Sequence, residues 1–173
     1  MRRYVRGENA ANPIKIKENR KNKGMIKILF ICHGNICRST MAQFVFQHMV
    51  NEAGLSDQFE IESAATSREE IGNGPHRGTI RKMQEVGIPI LPHRARQVTK
   101  QDYDHYDLLI IMDAENLWGI RRIIRDDPEN KIHMLLEYTG EDRDVADPWY
   151  TGDFDTTYDD VSRGCRALLE TLI

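Results

Sequence analysis

The chain has 173 residues, three of them cysteine, and a formal net charge of −3. This length suits one domain with a sizeable core, and no apolar run approaches the roughly 18 residues that a membrane span needs. The low, odd cysteine count argues against a disulfide framework, and the N-terminus carries no apolar secretory segment. We therefore expect a cytoplasmic protein.

The charge is distributed unevenly along the chain. Residues 1–24 hold eight Lys or Arg and two Glu, for a net charge of +6, whereas residues 25–173 hold 16 basic and 25 acidic residues, for −9. The first segment also lacks apolar periodicity, so we expect a disordered basic extension over residues 1–24 and one folded domain over residues 25–173. The acidic balance of that domain argues against nucleic acid as a main partner.

Apolar runs typical of buried strands alternate with segments of helical periodicity. The predicted strands cover residues 25–31, 58–64, 107–112 and 131–135. Predicted helices run from the N-cap Ser39 to about residue 53, from Pro75 to about residue 87, after the N-cap Thr99, from Ala114 to Arg125, and from Phe154 to Leu172. This alternation predicts an α/β fold with a mostly parallel sheet and helices on both faces.

The stretch "CHGNICRS", which begins at Cys32, joins the first predicted strand to the first predicted helix. Ligands of parallel sheets bind beyond the carboxyl ends of the strands, where Cys32 lies. The N–H groups of such a loop attract an oxyanion, Gly34 and Asn35 suit its tight turns, and Arg38 offers a planar fork of donors for phosphate oxygens. The same positive field stabilises a thiolate. The pattern therefore predicts Cys32 as a nucleophile toward phosphorus, with the Ser39 hydroxyl donating to its sulfur.

Cleavage of a phosphate ester also needs a proton donor for the leaving oxygen, and Asp147 is the best candidate. Pro148 keeps Asp147 out of the helical region, so its carboxylate is presented from an extended loop after the last strand. The adjacent Trp149 and Tyr150 are candidates for a pocket wall, and Tyr150 is also a candidate for phosphorylation. A second Asp-Pro pair, at Asp127, is interpreted as an ordinary turn.

The segments "ICHGNICRS" and "DPWY" resemble the two signatures of the low-molecular-weight protein tyrosine phosphatases, in the order of that family, and the resemblance spans residues 26–173. It implies the phosphotyrosine phosphatase I-like fold, a four-stranded parallel twisted sheet flanked by helices on both faces. It also implies a protein-tyrosine phosphatase that requires no metal and no cofactor.

The mechanism of that family carries over to the matched positions. Cys32 attacks phosphorus and forms a cysteinyl-phosphate, and Asp147 protonates the leaving tyrosine and then acts as base for the hydrolytic water. The phosphoryl group is held by His33, Gly34, Asn35, Ile36, Cys37 and Arg38. The hydrogen-bonded scaffold behind the loop is matched by Asn35, Ser39, Ser63 and His93. Cys37 matches a second cysteine that traps oxidised Cys32 as a reversible disulfide.

Departures from the family pattern bear on the substrate rather than on the chemistry. Thr40 stands where the family usually has proline, and Glu69 stands where many members place an aromatic pocket wall. The wall is therefore predicted to consist of Glu69, Trp149 and Tyr150. Expected partners are tyrosine-phosphorylated proteins and a cognate tyrosine kinase, and we expect a monomer or a weak dimer.

Several other functions fit parts of this pattern. A protein-arginine phosphatase is the nearest alternative, but that branch typically has threonine at the position of Ile36. A thioredoxin-coupled arsenate reductase needs two further cysteines in a mobile segment, whereas nothing between Cys37 and Cys165 is cysteine, and Cys165 is predicted to lie in the core. A phosphocarrier should avoid hydrolysis, which Arg38 and Asp147 would promote. An inactive binding module would normally have lost Cys32, Arg38 or Asp147, and all three are present.

Overall fold

A computed structural model of the chain describes residues 24–173. The expected extension over residues 1–24 lies, apart from Gly24, outside the described residues. The strands are β1 (Ile26–Cys32), β2 (Phe59–Ala65), β3 (Leu108–Ile111) and β4 (Ile132–Met134). The helices are α1 (Arg38–Glu52), α2 (Arg77–Val86), α3 (Lys100–His105), α4 (Ala114–Arg121), α5 (Pro148–Thr151) and α6 (Phe154–Leu172), with 3₁₀ turns at Ser56–Gln58 and Leu135–Thr139. No helix within residues 24–173 is long and apolar enough to cross a bilayer.

The four strands form one parallel sheet in the order β2-β1-β3-β4. Ile28 of β1 pairs with Ile61 on one side and Leu108 on the other, so β1 is central. Its residues are apolar on both faces because both faces are covered. The predicted fold is confirmed, and its geometry places Cys32 at the carboxyl edge of the sheet beside the end of β3.

Side chains of β1 alternate between two cores, one on each side of the sheet. Ile28 and Phe30 pack with Phe44 of α1 and Leu168 of α6, while Leu29 and its neighbours on the other face pack against α3 and α4. Full burial of such a side chain stabilises the fold by about 1.5–3 kcal/mol. The start of α1 is thereby anchored to the sheet, and Cys165 of α6 is buried in the first core, as predicted.

Most predicted elements are present, and their boundaries differ for local reasons. The helix predicted from Pro75 begins at Arg77, because the Nδ1 atom of His76 accepts a hydrogen bond from Gly78 N at 2.9 Å and caps it. The helix predicted to end at Arg125 ends at Arg121, where the backbone tightens into turns. The strand predicted over residues 131–135 gives way after Met134 to a 3₁₀ turn.

The prediction that Ser39 caps α1 is wrong. The N-cap is Cys37, which makes no side-chain capping hydrogen bond, and Ser39 lies inside the first turn. The Ser39 hydroxyl is instead turned toward the loop, where it contacts Cys32 and Asn35. By contrast, Thr99 caps α3 as predicted, with a capping box completed by Asp102.

Candidate active site

The loop between β1 and α1 forms the floor of a cavity at the carboxyl edge of the sheet. Asn35 has a φ of 59°, the left-handed conformation that asparagine tolerates better than most residues. The first N–H groups of α1 have no intrahelical acceptors, and the N-cap Cys37 supplies none from its side chain. The loop therefore presents the positive end of a helix and uncapped donors to the cavity.

Cys32 ends β1 at the base of this loop and is 3% exposed. Its Sγ atom lies 3.1 Å from Ser39 Oγ, and Asn35 N donates to the same sulfur at 3.3 Å. The side chain is thus held at the point where the loop donors converge.

Arg38 is the first residue of α1, and its guanidinium is almost completely buried. Its Nη1 donates to Asp113 Oδ2 at 2.6 Å and to the Val145 carbonyl at 3.0 Å, and its Nη2 donates to Asp147 Oδ2 at 3.3 Å. Burial alone would lower the pKa of Arg38, but the charges of Cys32, Asp113 and Asp147 outweigh it and raise that pKa above its ordinary value. The guanidinium is therefore a permanently charged, oriented clamp.

Asp147 lies in the extended backbone before α5, with φ −84° and ψ 111°, as the following proline predicts. Its Oδ1 accepts from Trp149 N at 3.1 Å, which caps α5 and fixes the carboxylate. The other oxygen faces Arg38. The short helix that Asp147 caps was not predicted, because four residues give no measurable periodicity.

The scaffold behind the loop converges on Asn35, which is fully buried. Its Nδ2 donates to Ser39 Oγ at 2.8 Å, its Oδ1 accepts from Arg96 N at 3.2 Å, and its carbonyl accepts from His93 Nε2 at 2.8 Å. Burial lowers the pKa of His93, partly offset by that last hydrogen bond, so a neutral donor ring supports the loop. Ser63 stands apart from this network, because its hydroxyl donates to Gln43 of α1 at 2.5 Å.

Cys37 lies at the back of the loop, where burial, reinforced by the negative charges of Cys32 and Asp147, raises the pKa of its thiol to about 12. Its carbonyl accepts from the hydroxyl of Thr40 at 2.9 Å and of Thr79 at 3.4 Å. Thr40, the departure from the family proline, therefore has a hydrogen-bond partner within the first turn of α1.

The cavity has a volume of about 330 Å³ and opens to solvent. Its lining contains Cys32, His33, Gly34, Ile36, Cys37, Arg38, Glu69, Glu70, Glu115, Asp147, Trp149 and Tyr150. The structure therefore brings the predicted nucleophile, clamp, acid and wall residues to one place. Trp149 and Tyr150 are 58% and 84% exposed, and they form an aromatic side of the opening.

Three residues of the site were not predicted from the sequence. Asp113 holds Arg38, and Glu70 and Glu115 line the cavity. Asp113 did leave a signal, because it follows the predicted strand 107–112 and so lies at the same sheet edge as Cys32. No comparable signal exists for Glu70 or Glu115, since exposed glutamates in loops and helix starts are common.

This arrangement suits the transfer of a phosphoryl group. A tetrahedral dianion fits a loop of N–H donors at a helix start with an arginine fork beside it. The Cys32 sulfur accepts a hydrogen bond from the loop amide of Asn35, and the Asp147 carboxylate lies beside the Arg38 guanidinium. A thiol and a carboxyl group are residue types that serve as nucleophile and as proton donor in such reactions.

Comparisons with known proteins agree with this geometry. The model of the family "Low molecular weight phosphotyrosine protein phosphatase" matches residues 27–173. The chain is 40% identical over 151 residues to the low molecular weight protein-tyrosine-phosphatase YfkJ of Bacillus subtilis, covering 86% of this chain and 96% of that protein. It is 39% identical over 148 residues to the low molecular weight phosphotyrosine protein phosphatase of Homo sapiens, with coverages of 83% and 93%.

Solved structures show the same similarity. The crystal structure of YfkJ matches with a TM-score of 0.83 at 38% identity, over 87% of this chain and 96% of that one. The structure of DARP, a Drosophila arginine phosphatase, matches with a TM-score of 0.76 at 27% identity, over 84% and 96%. A parallel sheet that brings a cysteine and an arginine to one loop, together with the relatives named as phosphotyrosine phosphatases, defines an enzyme that is a phosphoric monoester hydrolase. The chain belongs to the low molecular weight phosphotyrosine protein phosphatase family.

Proposed function

We propose that this enzyme hydrolyses phosphotyrosine in proteins through a cysteinyl-phosphate intermediate. The observation that carries the proposal is the convergence of Cys32, Arg38 and Asp147 around one loop, with Asp147 Oδ2 3.3 Å from the Arg38 guanidinium. These three residues come from β1, α1 and the segment before α5, so only the folded chain assembles them.

In the first step the Cys32 thiolate attacks phosphorus, an S–P bond forms and the P–O bond to tyrosine breaks. Arg38 and the loop N–H groups hold the equatorial oxygens, where charge is greatest in the transition state. Asp147, in its protonated form, gives its proton to the phenolic oxygen. When the phosphoryl group enters, its oxygens compete with Asp147 for Arg38 and free the carboxyl group to face the leaving oxygen.

In the second step water attacks phosphorus, Asp147 accepts a proton from that water, and the S–P bond breaks. The products are inorganic phosphate and the Cys32 thiolate. The Ser39 hydroxyl, at 3.1 Å, stabilises the departing sulfur. All atoms and protons are supplied by the ester, the water and these side chains, so the proposed cycle needs neither a metal ion nor a cofactor.

An aromatic substrate is favoured by the apolar part of the cavity. Ile36 lies in the lining together with the exposed rings of Trp149 and Tyr150, against which a phenol ring can pack. The relay of an arsenate reductase is disfavoured, because Cys165 is buried on the inner face of α6, where its Sγ lies 3.7 Å from the Ala42 carbonyl of α1. Tyrosine-phosphorylated proteins are the partners that fit this proposal. Cys32, Cys37 and Cys165 are free thiols, which fits a reducing, cytoplasmic compartment.

The test is hydrolysis of matched phosphotyrosine, phosphoserine and phosphoarginine peptides in the presence of a metal chelator. Cys32→Ser should abolish release of phosphate. Asp147→Ala should slow turnover by about 10²- to 10⁴-fold, and by less for substrates with good leaving groups. Asp126→Ala, an exposed carboxylate outside the cavity, is the matched control. Normal turnover by Cys32→Ser, or a preference for phosphoarginine, would refute the proposed function.

A further inference from the structure

The mouth of the cavity has one aromatic side and one acidic side. Glu69, Glu70 and Glu115 line it together with the catalytic loop. Glu69 and Glu115 are exposed, and Glu70 is half-buried over Gly34, where a Cβ atom would meet Glu70 Cγ at 3.3 Å. These carboxylates come from two separate segments, the loop after β2 and the first turn of α4. The negative charge is therefore spread along the opening rather than concentrated at one point.

Little positive charge offsets these glutamates at the opening. Among the described residues that line the cavity, Arg38 is the single Arg or Lys, and it lies on the floor in ion pairs with Asp113 and Asp147. The other group able to carry positive charge is His33, whose Nε2 is 3.0 Å from Glu69 Oε2. The rim is therefore negative, although the substrate that enters carries a phosphate dianion.

A phosphotyrosine that reaches Cys32 must place its own main chain across this rim. We expect its ring to enter the cavity beside Trp149 and Tyr150, which brings the residues before and after it close to the glutamates of the lining. Acidic neighbours in the substrate would be repelled there. Lysine or arginine has a flexible stem long enough to bring its charge to a carboxylate at the rim or to the face of an exposed ring.

We propose that Glu69 and Glu115 are specificity-determining residues that select phosphotyrosines with Lys or Arg as near neighbours in the chain. The inference rests on the proposed phosphotyrosine hydrolysis and adds the class of sequence on which it acts. The selection acts on binding and is made by exposed charges, so it weakens as salt screens them. Each exposed ion pair between a glutamate and a substrate Lys or Arg strengthens peptide binding by about 1.4- to 5-fold, and two or three such pairs together strengthen it by roughly tenfold.

The test uses phosphotyrosine peptides that differ only in their neighbours, which are Lys and Arg, Ala, or Asp and Glu, together with phenyl phosphate, which has no neighbours. We expect kcat/KM to be roughly tenfold higher for the basic than for the acidic peptide at low salt, chiefly through KM, and the ratio to shrink as salt is added. Glu69→Gln with Glu115→Gln should reduce the ratio of kcat/KM between the basic and the acidic peptide. Glu170→Gln, an exposed glutamate of α6 outside the cavity, is the control.

The two proposals fail in different ways. Turnover of phenyl phosphate and of all peptides at equal kcat/KM would overturn the selection while the phosphatase activity stands. An unchanged basic-to-acidic ratio in the double variant would do the same. Failure to hydrolyse any phosphotyrosine substrate would overturn the proposed function and the selection with it. Calorimetric binding of the peptides to Cys32→Ser gives a readout that does not depend on turnover, and equal affinities there would also refute the selection.

Discussion

Replacement of Asp113 by asparagine should disable the active site without touching any group that reacts. Asp113 accepts from Arg38 Nη1 at 2.6 Å through Oδ2, and from Asn116 N at 2.7 Å through Oδ1, so it both orients the clamp and caps α4. Asparagine keeps one oxygen to cap α4 but turns its NH2 group toward the guanidinium. Because both groups are hydrogen-bond donors, the bond to Arg38 is lost. A hydrogen bond to a charged group contributes about 1.5–3 kcal/mol, which corresponds to a loss of about 10- to 150-fold in kcat/KM.

The assay is steady-state hydrolysis of phenyl phosphate, with inhibition by inorganic phosphate measured in parallel. Phosphate should inhibit Asp113→Asn more weakly, because Arg38 no longer presents its fork in a fixed orientation. Asp144→Asn is a matched control, since Asp144 Oδ1 accepts from Ala114 N at the same helix start and makes no contact with Arg38. If kcat/KM and phosphate inhibition of Asp113→Asn stay close to the wild-type values, Asp113 does not position Arg38.

Two further predictions concern titratable groups of the loop. Near neutral pH, iodoacetate should alkylate Cys32 before Cys37, because burial raises the pKa of Cys37 to about 12 and keeps it a protonated thiol. Inorganic phosphate should slow the alkylation of Cys32. Peptide mass mapping that finds Cys37 modified first would contradict this prediction. Because the pKa of His93 is lowered in the folded protein, the unfolded chain takes up the proton first, and the stability contributed by neutral His93 decreases as the pH falls from about 6.5 toward that lowered pKa. The stability difference between wild type and His93→Gln should therefore shrink on acidification, and a constant difference would exclude this role.

The central part of the fold could be predicted because local and global signals agree there. The apolar run of β1 predicts a strand covered on both faces, and the turn chemistry of "HGN" predicts a loop in which Asn35 adopts a left-handed backbone. The four-stranded parallel sheet followed from the family resemblance and from the alternation of strands and helices. These features depend on residues that are close together in the sequence.

Features that depend on tertiary contacts could not be predicted in the same way. Ser39 has the chemistry of a helix cap, but Cys32 and Asn35 engage its hydroxyl and the cap moves to Cys37. Asp113 acquires its role because β3 lies next to β1, a neighbour relation that no local pattern contains. The placement of Glu115 at the cavity likewise depends on where the first turn of α4 meets the loop.

The hydrogen bonds that Asn35 makes within the folded protein have a thermodynamic consequence for the site. Its amide N–H, carbonyl and both side-chain groups already have partners before any phosphate arrives, with Cys32, His93, Arg96 and Ser39. The conformational entropy of the loop is therefore lost when the protein folds rather than when the ligand binds. Phosphate therefore binds a loop that is already ordered. None of its binding free energy is offset by ordering the loop, so all of it stabilises the native state. Affinity for the ligand and resistance to unfolding thus depend on the same side chain, so selection on one necessarily acts on the other.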